Sequence, residues 1–320
     1  MSHVVEGIAS EGQVRARVGV PQTGQVGIDA RNKLHSTPGF YRRAWRKLRR
    51  DNLAMAALVV SSIILVFSFG APVVAMITGH DYQTGNLRVI LKPIGFDGHY
   101  LGTDANGRDI LTRLAYGGRI SMTVAVLATF YALAFGATIG AVAGYYGGIV
   151  DSVLMRAVDV IISIPGITLL LLVSVWWKPG PFGLAVVIAS LGWTGVSRLV
   201  RGEVLSLRHR DFVDAARVLG ASDGRIIFKH IMPNVLPIVI VWTSLALPGL
   251  ILTEATLSYL GFGVAIPTPS WGNMLDEAKE FYTKSWTYVF IPGFMIYVAA
   301  LAFNLLGNGL RDALDPRLND

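Results

Sequence analysis

Apolar residues in this chain gather into long runs that exclude charge, longer than a buried strand or the single stripe of a soluble helix requires. Leu53 to Ile77, Ile120 to Tyr146, Val160 to Trp177, Pro179 to Ser197, Ile231 to Thr253 and Ser285 to Leu310 contain no Asp, Glu, Lys or Arg. About 20 such residues in a helix cross ~30 Å of hydrocarbon. The pattern predicts an all-α polytopic membrane bundle with six transmembrane helices. The first run starts too late and is too long for a signal peptide, and is expected to be retained. Six crossings place both termini on one side. Twenty of the 28 Lys and Arg residues fall on that side, in the N-terminal segment, at Arg156, in the 198–229 link and in the C-terminal tail. Eight fall on the other side, among them Lys178, Lys279 and Lys284. The richer side is expected to be cytoplasmic.

Composition agrees with this reading. Hydrophobic residues make up 52% of the 320 and charged residues 15%, against about 25% charged in soluble domains. The net charge of +7 therefore reads as cytoplasmic flanks and not as a nucleic-acid surface. The absence of cysteine excludes disulfides and thiolate chemistry. The six histidines show no H-E-x-x-H or clustered ligand spacing, so no metal site is expected. The chain also lacks G-x-x-x-x-G-K and G-x-S-x-G, so neither ATP binding nor covalent catalysis is expected of it, and no catalytic residue is assigned. In the external stretch HYLGTDANGRD, glycine and glutamate miss the EF-hand positions, and Gly102, Asp104 and Gly107 read as turn residues.

Five segments follow along the chain: a flexible cytoplasmic tail (1–37), an amphipathic interfacial segment (38–52), a first transmembrane helix with an external loop (53–116), a core with five transmembrane helices (117–307), and a cytoplasmic C-terminal tail (308–320). In the second segment Phe40, Tyr41, Trp45 and Leu48 interleave with basic residues, which fits either a helix lying in the membrane interface or a plain positive flank. Gly136, Gly140 and Gly144 form overlapping G-x-x-x-G repeats that let two helices approach closely, inside the bundle or across a dimer. Pro165-Gly166, Pro248-Gly249 and Pro292-Gly293 are expected to interrupt their spans, as happens beside a water-filled route. Glu254 stands in an apolar run. Thr253, Thr256 and Ser258 are near enough in sequence to bond it, as a polar group on a permeation path or as a paired structural carboxylate near a span end.

The 211–234 link is the most informative stretch. Asp211 is a plausible N-cap. Phe212, Ala215, Ala216 and Leu219 share a helix face, and Gly220 stands where a left-handed cap wants glycine. Ser222 and Asp223 open a second helix with Ile226, Ile227 and Ile231 apolar, and Pro233 is expected to end it. In isolation the unit has the form of a DNA-reading helix-turn-helix, but spans at both ends deny it reach.

These residues resemble the EAA loop of ABC-importer permeases, a pattern of Glu-Ala-Ala, a glycine four residues on, and a terminal I-x-L-P. Here it is carried by Asp214, Ala215, Ala216, Gly220 and the run His230-Ile231-Met232-Pro233-Asn234, with Asp in place of Glu. The stretches from His99 to Met122 and from Asn304 to Leu318, with TEATLSYLGFG and PSWGNML, are similar to the C-type subunit of the dipeptide, oligopeptide and nickel branch. The resemblance implies a type I importer permease fold in a bacterial inner membrane. It implies that this chain pairs with a homologous second permease to carry dipeptides or oligopeptides, with an external substrate-binding protein and two cytoplasmic ATPases. ATP and magnesium would sit on those ATPases, with no cofactor here. The ATPase contact would fall on Asp211, Phe212, Asp214, Ala215, Ala216, Arg217, Gly220, Ala221, His230 and Pro233. An ion-driven secondary transporter would need an inverted repeat and more ionisable groups at mid-membrane. A channel would make no use of the link, and a membrane-anchored DNA sensor would need it to reach a duplex.

Overall fold

The computed structural model describes residues 40–176 and 180–314. The 1–37 tail, Lys178 and the end of the C-terminal tail from 315 lie outside the described residues. The helices in order are α1 (Phe40–Leu48), α2 (Asn52–Phe69), α3 (Ala71–Thr78), α4 (Ile110–Tyr146), α5 (Gly148–Ser163), α6 (Gly166–Trp176), α7 (Pro181–Leu207), α8 (Asp211–Val218), α9 (Asp223–Arg225), α10 (Met232–Tyr259), α11 (Trp271–Ala278) and α12 (Trp286–Leu314). Among the described residues there is no strand, only two isolated bridges in the external loop. Five helices are long and apolar enough to cross a membrane, and α5 with α6 forms a sixth candidate bent by 86°.

The bend and the span ends have local causes. Ile164 precedes a proline and adopts an extended ψ of 133°, because the proline ring disfavours the helical region for its predecessor. Pro248 and Pro292, expected to interrupt, lie inside unbroken helices. The first span instead divides at Gly70, ahead of Pro72. α4 begins ten residues before its charge-free run because Arg113, buried on its first turns, is paired. α10 likewise runs on through Glu254.

The glycine stripe fixes the topology. A Cβ built on Gly136, Gly140 or Gly144 would lie under 3.0 Å from the carbonyl oxygen of Trp193, Ser197 or Arg201, respectively. The stripe therefore packs within the chain, against α7. Both sets of positions rise together by four, so α4 and α7 run parallel. The chain between them must return across the membrane, which makes the bent α5–α6 pair one crossing and not a re-entrant hairpin. At the other end of the fold, Gly309 of α12 lies against Ala54 of α2. Ala44 and Leu48 of α1 pack with Ala54, Ala313 and Leu314. The first and last helices thus meet on one side, the terminal side.

On the far side a buried ion network ties the external loop to the bundle. Asp104 accepts from the amides of Asn106 and Arg108 (2.8 Å each), from Arg108 Nε (2.6 Å) and from Arg113 Nη1 (3.0 Å). Both guanidiniums also reach Glu277 of α11, to which Tyr288 donates at 3.4 Å. Two carboxylates face two guanidiniums, so the charges cancel. Removing one partner from such a set leaves an uncompensated buried charge, at a typical cost of about 3–5 kcal/mol.

Gly140→Val puts a branched side chain where α7 backbone already sits. Overpacking of this kind costs about 1–3 kcal/mol, so thermal unfolding in detergent should shift down clearly. Gly249→Ala meets nothing within 4 Å and should leave the midpoint unchanged or slightly raised; equal behaviour of the two variants would refute the close α4–α7 contact.

Candidate functional site

The elbow between α7 and α10 is built on the terminal side. α8 starts at Asp211; its N-cap position is Arg210, which makes no side-chain cap bond, so Asp211 is the first helical residue and not the cap. α8 ends in a Schellman turn: the Ala221 amide donates to the Ala216 carbonyl and the Gly220 amide to that of Arg217, both at 3.0 Å. Gly220 has φ +78°, a left-handed conformation that glycine adopts freely. Asp223–Arg225 and a π-helical turn, Ile226–Ile231, lead straight into α10. Pro233 sits in the first turn of α10, where a missing amide hydrogen costs nothing. It therefore opens a helix and does not end one.

The elbow is welded to the bundle. Val213 and Ala216 are buried together with Ile226, Ile227 and Ile231 against Val200 and Val204 of α7 and Ala141 of α4. Tyr145, at the end of α4, donates to Asp223 at 2.8 Å. Arg208 Nη1 donates to the Gly144 and Tyr145 carbonyls at 3.2 and 3.4 Å. The four residues that share a helix face differ in burial: Phe212, Ala215 and Leu219 are exposed and only Ala216 is covered. Val218 (88% exposed), Leu219 (86%) and Phe228 (71%) stand out from the elbow with Phe212. Asp214 pairs with Arg217 at 2.8 Å on the exposed surface. His230 is half-buried in the π-turn, and its carbonyl accepts from Asn234. Sequence periodicity missed Val213 as the anchor and Val218 as part of the exposed ridge.

A second feature lies within the membrane-spanning part. The break at Pro165-Gly166 opens onto a groove of about 390 Å³ between α6, α7 and α10. Gly166, Leu191, Gly192, Leu250, Thr253 and Thr256 line it. The two threonine hydroxyls donate to carbonyls of their own helix. Glu254 points elsewhere. It is wholly buried, its Oε1 accepts from Ser258 at 2.7 Å, and its Oε2 has no partner among the described residues. Ser121 of α4 and Ser270 beside α11 lie alongside it. The carboxyl thus sits in the α4–α10–α11 junction and not on the groove.

The far-side loop brings His80, His99 and Asp109 together, a cluster that linear spacing did not reveal. His99 Nδ1 bonds Asp109 at 2.9 Å, while Asp109 also caps α4 through the Thr112 amide. The two imidazoles stack with centroids 4.1 Å apart and planes 14° apart. In-plane lone pairs of stacked rings do not converge on one ion, so the arrangement holds a loop to a helix.

Two family models match the chain. The family described as "Binding-protein-dependent transport system inner membrane component" matches residues 136–320. The one described as "N-terminal TM domain of oligopeptide transport permease C" matches residues 39–93. The chain is 38% identical over 279 residues to the oligopeptide transport system permease protein OppC of Haemophilus influenzae, covering 87% of this chain and 89% of that one. It is 39% identical over 276 residues to the dipeptide transport system permease protein DppC of Bacillus subtilis, covering 86% and 85%. It is 35% identical over 288 residues to the glutathione transport system permease protein GsiD of Pectobacterium atrosepticum, covering 90% and 94%.

If Glu254 is a structural acceptor, Glu254→Gln keeps an oxygen for Ser258 and should change stability by no more than about 1 kcal/mol. Glu254→Ala leaves a cavity and orphaned hydroxyls, and should cost about 1–3 kcal/mol from the lost bond alone. Unfolding midpoints in detergent check the pair, and a Gln variant as unstable as the Ala variant would show that the charge itself is required.

Proposed function

The chain belongs to the family of binding-protein-dependent transport system inner membrane components, and from that premise we propose that it is the transmembrane permease subunit of an ATP-driven importer of dipeptides or oligopeptides. It forms half of an alternating-access pathway with a homologous second permease. An external binding protein delivers the cargo, and two cytoplasmic ATPases, which hold ATP and magnesium, supply the energy. The terminal side, with most of the Lys and Arg residues, faces the cytoplasm of a bacterial cell.

One observation carries this reading: α8 is buried on one face and leaves large apolar side chains exposed beside the Asp214–Arg217 pair on the other. Val213 and Ala216 lock it to α4 and α7, while Phe212, Val218 and Leu219 remain uncovered. An exposed apolar ridge on a short helix outside the membrane is a protein-docking surface. Force applied there passes through the Ile226–Ile231 turn into α10, and through Tyr145 and Arg208 into the foot of α4. The movable part is then the α5–α6 pair, whose break at Pro165 already lacks a continuous ladder. Backbone groups at such a break persist only beside protein or water. This fits the groove of Gly166, Thr253 and Thr256 as a wall of the cargo route. Peptide as cargo is supported by the relatives, which carry oligopeptides, dipeptides and glutathione by name.

Leu219→Asp changes an exposed residue, so the permease should assemble normally and lose its ATPase partners. Co-purification from membranes should fall at least tenfold. Gly220→Val forces a branched residue into the left-handed region, at about 1–2 kcal/mol, and should lower peptide uptake per ATP hydrolysed. A Gly220→Val complex that assembles and transports like the parent would overturn the coupling role of the elbow.

A further inference from the structure

α1 presents a second terminal-side surface of opposite chemistry. Its rotation is fixed, because Ala44 and Leu48 are buried against α2 and α12. The outward arc then carries Arg42, Trp45, Arg46, Arg49 and Arg50, all exposed. The Arg49 guanidinium lies 5.0 Å from the Trp45 ring centroid. No acidic residue occurs between Arg42 and Arg50. The nearest, Asp51, is committed to capping α2 through the amides of Leu53 and Ala54. Lys47 Nζ is shielded from water and has no hydrogen-bond partner among the described residues.

Position supplies the missing counter-charge. Only Arg49, Arg50 and Asp51 separate α1 from α2, which at ~3.3–3.6 Å per residue keeps α1 within about 10 Å of the first span. A cationic helix so tethered lies at the head-group layer, where exposed tryptophan also settles. Its described apolar contacts, Ala44 and Leu48, are already spent on α12. Among the described residues, what is left over is four guanidiniums and the Trp45 ring, and guanidinium suits phosphate. The α8 ridge offers the reverse, apolar side chains that suit a protein.

We propose that α1 is a binding site for anionic phospholipid head groups. Arg42, Arg46 and Arg49 hold the phosphate, and Trp45, with the Arg49 guanidinium over its ring, sits at the head-group level. The site is independent of the cargo and of the ATPases.

The test uses the purified membrane complex, stripped of lipid in detergent and titrated with phosphatidylglycerol or phosphatidylcholine, with bound lipid counted by native mass spectrometry. The parent should prefer phosphatidylglycerol. Each basic residue near an anionic surface is worth about fivefold, so Arg46→Gln and Arg49→Gln should each weaken phosphatidylglycerol by roughly that factor. Arg42→Gln/Arg46→Gln/Arg49→Gln should weaken it about a hundredfold. The matching triple Lys variant keeps the charge and should retain the preference. Equal retention of both lipids by the parent would overturn the proposal, as would unchanged phosphatidylglycerol binding in the Gln variants. Inorganic phosphate competing at concentrations no higher than phosphatidylglycerol would overturn it too, since the site would then take free anions with no preference for lipid. Because lipid counting needs neither peptide nor ATP, these outcomes stand apart from any failure of the importer reading.

Discussion

The close contact between α4 and α7 is the constraint on which the rest depends. Three glycines one turn apart let two helices meet backbone to backbone, which in lipid supplies packing that burial of apolar surface cannot supply there. Because the contact is parallel, it dictates the route of everything between. A chain leaving α4 on the terminal side has to reach the start of α7 on the far side, and the bent α5–α6 pair is what does so. The break at Pro165 is thus placed in a crossing that the close α4–α7 contact does not include. Stiffness and compliance have been put in adjacent elements.

The elbow extends the stiff part out of the membrane. Val213 and Ala216 share a cluster with α7 and the foot of α4, so α8 is an outgrowth of that pair and not a free loop. The Schellman turn at Gly220 reverses direction in two residues, which brings the Ile226–Ile231 turn back under Val213. A looser connection would absorb displacement before it reached the bundle. The buried ion network on the far side acts in a comparable way at the opposite end, holding the loop, α4 and α11 together through Asp104, Arg108, Arg113 and Glu277.

Five crossings were legible in the sequence because lipid imposes a single rule, the exclusion of charge; of the sixth, the bent α5–α6 pair, only the second half lies in a charge-free run, since α5 carries Asp151, Arg156 and Asp159. The ends were less legible for the same reason. Arg113 lies inside α4 because Asp104 and Glu277 neutralise it, and those partners are nine and 164 residues away. Periodicity located α8 but did not pick out its buried face, which Val213 and Ala216 form. A 3.6-residue pattern finds apolar positions; it does not tell those covered by the chain itself, Val213 and Ala216, from Phe212 and Leu219, left for another molecule. Prolines misled in the same manner. Pro248 and Pro292 sit in helices supported by neighbours, whereas Pro165 sits where the connection must bend. The His80–His99 stack joins residues 19 apart in an irregular loop, and no local pattern encodes it.

The two terminal-side surfaces differ in chemistry, and the two proposed partners differ in the same way. α1 and α8 are both short and both carry one apolar face on the bundle. They differ in what remains. α8 leaves Phe212, Val218 and Leu219 exposed, and large exposed apolar side chains of this kind are a mark of protein-docking surfaces. α1 leaves guanidiniums that pair with no carboxylate among the described residues, a short tether away from the first span. Exchanging the two residual faces would put hydrocarbon against the head groups and charge against a protein groove. Each helix would then lose its contact without any change in backbone fold, so the identity of the uncovered residues, and not the fold of the elements, decides what this side of the molecule binds.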